Sequence, residues 1–277
     1  MSSVRRARPW LGTLVDIRVD GMESTSALRA IDAAFAEVAM VHRLMSFHSD
    51  DSDLARLHNA RTGTCVRVNA RTGEVLDWAL RVAAASDGAF DPAVAAAQVA
   101  RGALPVPRST FVPDADASWR DIELPGGEHV RLRRPLWIDL GGIAKGYAVD
   151  RAIEVLRAHG AIDACVNAGG DLRVAGALVE RVHVRDARGG IAAELELSDG
   201  AVATSGCASA HRDGASRRAA EPEITVSVVA PRCMVADALT KVVLARGDAA
   251  RAVLAGFAAQ AWTHRAAHGW RQLDRVA

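Results

Sequence analysis

The order of strand-like and helix-like segments is the feature that most constrains the fold of this chain. A strand pattern at about 12–19 is followed by long helical patterns at about 23–45 and 72–86. From about residue 130 onward, strand patterns dominate and helical patterns become few. Because strands and helices do not alternate strictly, the sequence disfavours a doubly wound parallel sheet and predicts the α+β class. The 277 residues suffice for one large domain or two joined lobes.

The remaining elements are predicted from the same periodicities. A short helix is expected to begin near Ser52, and the Pro-rich segment at about 101–120 is expected to be an irregular, variable surface loop. Strands are predicted at about 136–140, 162–167, 171–175, 180–185, 191–197, 201–204 and 223–230, and helices at about 143–158, 235–245 and 248–258.

Composition narrows the functional classes. The net charge is +1, whereas a non-specific nucleic-acid binder would carry a strong basic excess. The N-terminal residues contain no apolar stretch of signal-peptide length, and no run of 18 apolar residues occurs, so we expect a cytoplasmic protein without a membrane segment. The four cysteines form no CxxC pair and are expected to be reduced thiols; they are Cys65, Cys165, Cys207 and Cys233.

The segment "IDLGGIAKG" (138–146) is the first candidate binding site. Asp139 ends an apolar run, two glycines allow a sharp turn, and Lys145 follows at the predicted start of a helix. Glycines, helix-start amides and an ammonium group together suit an anionic or diphosphate ligand. The alternative is a tight turn with a solvated lysine, since neither a P-loop nor a GxGxxG pattern is present.

Three later segments carry further polar candidates, each with an ordinary structural alternative. "VNAGGDL" (166–172) predicts either a second glycine-rich ligand loop or a hairpin turn. In "AVATSG" (201–206), Thr204 and Ser205 can donate hydrogen bonds to a phosphate or cap a turn. In "ADALTKVVL" (236–244), Asp237 and Thr240 share a helix face, which suits Mg²⁺ or is simply a polar helix start.

The ordered combination of motifs resembles the ApbE family, the FAD:protein FMN transferases. The resemblance spans about residues 10–245, and "DLGGIAKGYAVDRA" is its most specific part. Besides the segments above, it rests on "LGT" (11–13), "MSFHSDDSDLARLH" (45–58), "GAFDP" (88–92) and "TVSVVAP" (225–231).

This resemblance implies a fold and an activity. The fold is α+β and two-lobed, with mixed and antiparallel sheets flanked by helices and a nucleotide cleft between the lobes; residues 1–277 then form one ApbE-like domain. The implied enzyme is Mg²⁺-dependent, cleaves the pyrophosphate of FAD, transfers FMN to a threonine hydroxyl of a target flavoprotein and releases AMP. The alternatives are an FAD pyrophosphatase and a non-catalytic paralogue that binds FAD.

The resemblance also implies roles for individual positions. Contacts to FAD are expected from Leu11, His48, Ala89, Phe90, Asp91, Asp139 and Lys145, with Thr204 and Ser205 as further phosphate donors. The expected metal ligands are the Gly142 carbonyl, Asp237 and Thr240. Catalytic roles are expected for Lys145, for His211 as the base that activates the acceptor hydroxyl, and for Asp213.

Three positions depart from the family pattern. Lys241 stands where the family usually has a threonine, and it can repel the metal, replace part of its charge, or leave Thr240 to serve as the ligand. His211 lies one place away from the family histidine, and His58 replaces the asparagine that usually ends the segment 45–58.

Overall fold

The computed structural model describes residues 3–185, 190–206, 224–265 and 269–273. In these ranges the strands are β1 (Ser3–Trp10), β2 (Thr13–Asp20), β3 (Cys65–Arg67), β4 (Ile122–Gly126), β5 (His129–Leu132), β6 (Asp163–Ala168), β7 (Asp171–Ala175), β8 (Glu180–Arg185), β9 (Ile191–Leu197), β10 (Ala201–Gly206), β11 (Ile224–Ala230), β12 (Gln260–Arg265) and β13 (Gly269–Leu273). The helices are α1 (Ser24–Met45), α2 (Asp53–Asn59), α3 (Ala70–Ala85), α4 (Ala95–Ala100), α5 (Ala144–Ala158), α6 (Cys233–Arg246) and α7 (Arg251–Gly256). Short 3₁₀ turns lie at Trp119–Asp121 and Gly247–Ala250.

An eight-stranded sheet organises the fold. Its strand order is β1-β2-β6-β7-β10-β11-β12-β13, and every neighbouring pair is antiparallel. A three-stranded sheet (β3-β5-β4) and a two-stranded sheet (β8-β9) are separate and also antiparallel. This arrangement confirms the predicted α+β class with antiparallel sheets and helices, while the division into two lobes and the single-domain assignment stay predictions.

Helices α1, α5 and α6 cover the large sheet. Helix α1 begins at the Glu23 cap, whose carboxylate accepts from the amides of Thr25 and Ser26. Its buried face follows helical spacing through Ile31, Phe35 and other apolar residues, and it packs on α5. Helix α6 is buried along nearly its whole length, between α5 and strands β10 and β11. The polar residues of α6 are therefore enclosed, which matters for the site.

The predicted strand at 136–140 is wrong. This segment is buried and extended but pairs with no strand within the described part of the chain. The amide of Ile138 donates to the Nε2 atom of His58, and the amide of Asp139 donates to the carbonyl of Pro92. A side chain and a loop carbonyl thus satisfy the backbone donors that a strand partner would otherwise take.

The segment 101–118 contains no helix or strand, as its proline content predicts. Its first residues run along the cavity described below. Among the described helices, none is both long enough and apolar enough to cross a bilayer.

Candidate functional site

A cavity of about 790 Å³ opens beside the N-terminus of α5. Such a volume lies within the range of small-molecule and cofactor sites. Its lining comes from the β1–β2 turn, the end of α1 and the residues after it, α4 with the loop that follows, and the segment entering α5. The apolar and aromatic part includes Leu11, Met45, Phe47, His48 and Leu104, and the polar part includes Ser46, Ser49, Gln98, Asp139 and Lys145.

Leu11 enters this cavity from a strained turn. Leu11 and Gly12 form the two-residue connection between β1 and β2, with φ angles of 57° and 72°. A left-handed backbone is unfavourable for leucine and is normally taken by asparagine or glycine in this type of hairpin. Strained backbone is common at functional sites, which agrees with the prediction that Leu11 contacts FAD.

His48, another predicted FAD contact, lies at the rim of the cavity and is exposed. Its ring stands edge-on to that of Phe47, with the ring centroids 6.4 Å apart. Phe47 also lines the cavity and approaches the buried ring of His58. The structure therefore offers two neighbouring rings for stacking, of which the sequence predicted one.

Lys145 provides the positive charge of the cavity. It is in the first turn of α5, its side chain is about one-third exposed, and its Nζ donates to Asp171 Oδ2 over 2.7 Å. Burial lowers the pKa of Lys145, but the charges of Asp237 and Asp171 outweigh this effect and raise it. Burial and the charge of Asp237 raise the pKa of Asp171 to about 6, against the opposing effect of Lys145. At neutral pH the pair is therefore ionic.

The glycine-rich segment after β6 is a hairpin turn. Gly169 and Gly170 connect β6 to β7 with positive φ angles, and the amide of Gly170 donates to the Asn167 side chain. The structure thus selects the hairpin among the two predicted alternatives. The turn nevertheless serves the site, because it places Asp171 against Lys145.

The backbone amides at the start of α5 are largely engaged within the protein. The amides of Ile143 and Ala144 donate to the carbonyl of Leu140, and that of Gly146 donates to Asp237 Oδ2 over 3.3 Å. Gly141 donates to Asp139 Oδ1. These four amides therefore already have acceptors within the protein, and the ammonium of Lys145 is the charged donor that the segment presents to the cavity.

Asp139 joins the main cavity to a smaller one. The smaller cavity, of about 20 Å³, is lined by the predicted FAD-contact segment Ala89, Phe90 and Asp91, together with Val94, Gln98, Asp139, Gly142 and Lys241. Burial raises the pKa of Asp91 to about 6 and also raises the pKa of Asp139. The structure thus brings the predicted residues of 88–92 next to Asp139, and it adds Gln98, which the sequence reasoning missed.

On α6, the carboxylate of Asp237 is fully buried and is paired with the ammonium of Lys241 one turn later. Its other oxygen accepts from the Gly146 amide. Burial alone would raise the pKa of Asp237, but the charges of Lys241 and Lys145 hold it below the usual carboxyl range. Both oxygens of the predicted metal carboxylate are therefore occupied by donors of the protein.

The second predicted metal ligand on α6 is engaged as well. Thr240 Oγ1 donates to the carbonyl of Asp237 over 2.7 Å and lies 2.8 Å from Ser205 Oγ. Within the residues that the structure describes, no three His, Cys, Asp or Glu side chains come together as a metal site. The small cavity at Gly142 has room for about one water, whereas Mg²⁺ keeps several waters. The donor set of Gly142, Asp237 and Thr240 therefore does not fit the Mg²⁺ that the resemblance implies.

Thr204 and Ser205 point to opposite faces of β10. Thr204 Oγ1 lies 2.9 Å from Ser227 Oγ on β11, whereas Ser205 faces α6. Successive residues of a strand alternate between faces, so the two hydroxyls cannot bind the same phosphate. Neither lines either of the two cavities, and their role as phosphate donors stays a prediction.

Two further carboxylates belong to the frame of the site, and sequence reasoning missed both as contacts. Asp171 pairs with Lys145, and Asp150 of α5 accepts from the first amides of α6. Both lie inside motifs on which the family resemblance rests, and this membership is the sequence signal that could have identified them. The predicted catalytic residues His211 and Asp213, and Cys207, lie outside the described residues.

Fold and site together define an α+β protein with a cavity of about 790 Å³ that has an apolar, aromatic part and a lysine paired with a carboxylate. A family model described as the ApbE family matches residues 11–261. The chain belongs to the ApbE family.

The names of similar proteins agree with this assignment. The chain is 30% identical to the FAD:protein FMN transferase of Treponema pallidum, an alignment that covers 84% of this chain and 76% of that protein. It is 26% identical to the protein of the same name from Vibrio cholerae serotype O1, over 88% of this chain and 82% of that protein.

Solved structures share the fold. The ApbE protein of Thermotoga maritima superposes with a TM-score of 0.83 at 24% identity, covering 98% of this chain and 97% of that one. The flavin transferase ApbE of Vibrio cholerae gives a TM-score of 0.79 at 22% identity, over 98% and 96% of the two chains.

Proposed function

We propose that this protein is an FAD:protein FMN transferase, which binds FAD in the 790 Å³ cavity and transfers its FMN part to a threonine hydroxyl of a target flavoprotein, releasing AMP. The names of its curated relatives support this activity, and so does the chemistry of the cavity. The apolar and aromatic lining near Leu11 and Phe47 suits a flavin ring, and the end near Lys145 suits a diphosphate.

The observation that carries the proposal is the position of Lys145. Its ammonium lies on the cavity wall and at the positive end of α5, and within the described residues it donates to Asp171 alone. An ammonium group has three N–H donors, so two remain for ligand oxygens. A partly buried lysine with a raised pKa stays charged at neutral pH and can bind the pyrophosphate.

The transfer itself is a displacement at phosphorus. The acceptor hydroxyl oxygen forms a bond to the phosphorus of the FMN part, and the bond from that phosphorus to the bridging oxygen breaks. The bridging oxygen leaves with the bonding electrons as part of AMP, and the hydroxyl proton passes to a base. Such reactions depend mainly on positioning and charge stabilisation, which is the role proposed for Lys145. His211 and Asp213 remain the predicted groups near the acceptor.

Mg²⁺ is not part of this proposal, because the donor set around Asp237 does not fit it. If water replaces the acceptor hydroxyl, the same site acts as an FAD pyrophosphatase and yields FMN and AMP. If neither reaction occurs, the chain is an FAD-binding paralogue.

One assay separates these functions. The purified protein is incubated with FAD, with and without a flavoprotein that carries a covalent-FMN threonine motif. AMP is measured by chromatography, and flavin that stays on the acceptor after acid treatment is measured by fluorescence. The proposal expects both products in equal amounts when the acceptor is present. AMP without labelled acceptor identifies a pyrophosphatase, and bound FAD without either product refutes catalysis.

A matched pair of variants tests the role of Lys145. Asp171→Asn removes the counter-charge but keeps the ammonium, whereas Lys145→Gln combined with Asp171→Asn replaces the ion pair by a neutral pair. Removing both charges avoids leaving one of them buried alone. We expect the single variant to retain FAD turnover and the double variant to lose roughly 10²–10³-fold in rate, the usual cost of one preorganised donor. Equal turnover in the two variants would remove Lys145 from the site.

A further inference from the structure

The use of lysine in this chain is unusual. Among 34 lysines and arginines, only Lys145 and Lys241 are lysines, and all other basic residues are arginines. Both lysines lie in the candidate site, one on the wall of the main cavity and one on the wall of the small cavity beside it. A lysine is a compact point charge, unlike the extended planar group of arginine. The two positions therefore share a requirement for a small cation.

The ammonium of Lys241 is fully coordinated by the protein. Its side chain is 7% exposed, and Nζ donates to Asp237 Oδ1, to the Asp237 carbonyl over 3.1 Å and to Ser205 Oγ over 3.2 Å. These three acceptors match the three N–H groups of an ammonium. The Ser205 hydroxyl can then donate to Thr240 Oγ1, and Thr240 donates to the Asp237 carbonyl. One direction of donation satisfies the whole network.

The position of this ammonium is the position expected for a metal. Lys241 shares the small cavity with Gly142, whose carbonyl the resemblance assigns to the metal, and it is bound to Asp237, the assigned metal carboxylate. Asp139 lines both cavities; burial raises its pKa, and the charge of Lys241 opposes that effect. One assigned ligand is thus paired with an organic cation, and the other lines the same small cavity as that cation's residue.

We propose that the Lys241 ammonium replaces the divalent cation in this protein, so that Asp237 binds no Mg²⁺ and its partner is a covalently attached ammonium group. In its part that concerns FAD, this inference rests on the proposed function. There Lys145 donates to the diphosphate directly, whereas Lys241 acts on it only through its charge, and this interaction is stronger in low-dielectric surroundings than in water. The two lysines together carry two positive charges, one fewer than Mg²⁺ and Lys145 would carry together.

The first test measures metal binding without FAD. Mg²⁺ binding to a folded protein raises its melting temperature in proportion to the logarithm of the metal concentration. We expect no change for the wild type between EDTA and millimolar MgCl₂, and a rise of several degrees for Lys241→Thr, which opens the site. Asp237→Asn added to Lys241→Thr is the control and should abolish that rise. A Mg²⁺-dependent rise in the wild type, or none in a folded Lys241→Thr, would overturn the proposal.

The second test needs no variant. Because the sequence has two lysines, protein labelled with [¹³Cε]-lysine should give two side-chain signals. Mn²⁺ bound at Asp237 would broaden both by paramagnetic relaxation. The Mn²⁺ concentration is chosen so that it causes little broadening of free labelled lysine. At this concentration we expect both protein signals to persist. Their selective loss would show a metal at the site and contradict the proposal.

The third test includes FAD and keeps the two proposals apart. The dissociation constant of FAD is measured by flavin fluorescence in EDTA and in MgCl₂. The wild type should give the same value in both, and Lys241→Thr should bind at least about tenfold more tightly with the metal, as typical metal-site effects suggest. Absence of FAD binding to the wild type in both buffers would refute the proposed function and leave the metal tests valid. Tighter FAD binding by the wild type in MgCl₂ would overturn the lysine-for-metal proposal alone.

Discussion

A buried carboxylate of α5 joins the two helices that build the site, and its removal offers a sharp prediction. Asp150 is fully buried; its oxygens accept from the backbone amides of Cys233 and Met234 over 2.9 and 3.0 Å. Arg173 donates to the same carboxylate over 2.7 Å. The cap residue of α6, Arg232, makes no side-chain cap hydrogen bond, so Asp150 acts as the cap from another helix.

The magnitude follows from what Asp150→Asn takes away. The amide group replaces one acceptor by a donor, so one buried backbone N–H of α6 loses its partner, which costs about 1–3 kcal/mol. The charge that balances Arg173 disappears too, and breaking a buried pair costs about 3–5 kcal/mol. Burial raises the pKa of Asp150 despite its cationic partners, so the ionised carboxylate already carries a desolvation cost that the amide avoids. We therefore expect the lower end, about 3 kcal/mol.

Urea unfolding followed by circular dichroism measures this loss, with Asp199→Asn as the matched control. Asp199 also pairs with an arginine, Arg157 of α5, but the pair is exposed and contributes at most about 1 kcal/mol. Asp199 has a φ angle of 37°, which asparagine tolerates. Hydrogen exchange at Cys233 and Met234 should accelerate in Asp150→Asn only. A loss below about 1 kcal/mol, or unchanged exchange at these amides, would refute the capping role.

Three further predictions address packing, pH and the strained turn. Gly146→Ala should destabilise the protein by about 1–3 kcal/mol in urea unfolding, because its Cβ would collide with the α6 backbone, whereas Gly126→Ala, with open space around it, should not. Burial lowers the pKa of His58 to about 4. As the pH falls below about 6.5, His58 therefore takes up a proton in the unfolded chain but stays neutral in the folded chain until about pH 4. The free energy of unfolding should fall by about 3 kcal/mol as the pH decreases over that interval. His58→Gln should remove this acid loss and exposed His129→Gln should not, as melting curves from pH 7 to 4.5 will show; an unchanged pH profile in His58→Gln would disprove the assignment. Leu11→Asn suits the left-handed turn, so the melting temperature should stay or rise while FAD binding, read by fluorescence, weakens; a lower melting temperature would contradict the strain argument.

The fold was predictable where local periodicity and burial agree. The four long helices α1, α3, α5 and α6 were predicted to within about two residues at each end, because their apolar faces repeat at helical spacing. The first strand, β1, was missed because half of its residues are arginine or proline and most of the strand is exposed at the edge of the sheet. The small sheet around β4 and β5 and the terminal hairpin β12–β13 were also missed, being short and polar in part.

The site was predictable at the level of segments and less so at the level of contacts. The order of the segments identified the family, and the resemblance named Leu11, His48 and Lys145 as FAD contacts. The structure places these three residues in one cavity. The pairing of Asp237 with Lys241 had a local signal, an aspartate four residues before a lysine in a helix, whereas the i, i+3 spacing favoured Thr240 as the neighbour of Asp237. Asp150 and its partner Cys233 on α6 are 83 residues apart in the sequence, so no local sequence pattern could predict their contact.

The contacts between α5 and α6 support the proposal that Lys241 takes the place of a metal ion. Each helix places a carboxylate at the N-terminal turn of the other: Asp150 of α5 accepts from the first amides of α6, and Asp237 of α6 accepts from the Gly146 amide of α5. Two positive helix ends therefore converge and are each compensated by an aspartate. Asp237 is fully buried, and a buried carboxylate without a cationic partner would be strongly destabilising. Lys241 supplies this partner from the same helix, one turn after Asp237. Because the lysine is already part of the chain, the pairing avoids the loss of freedom that a separate ion incurs on binding.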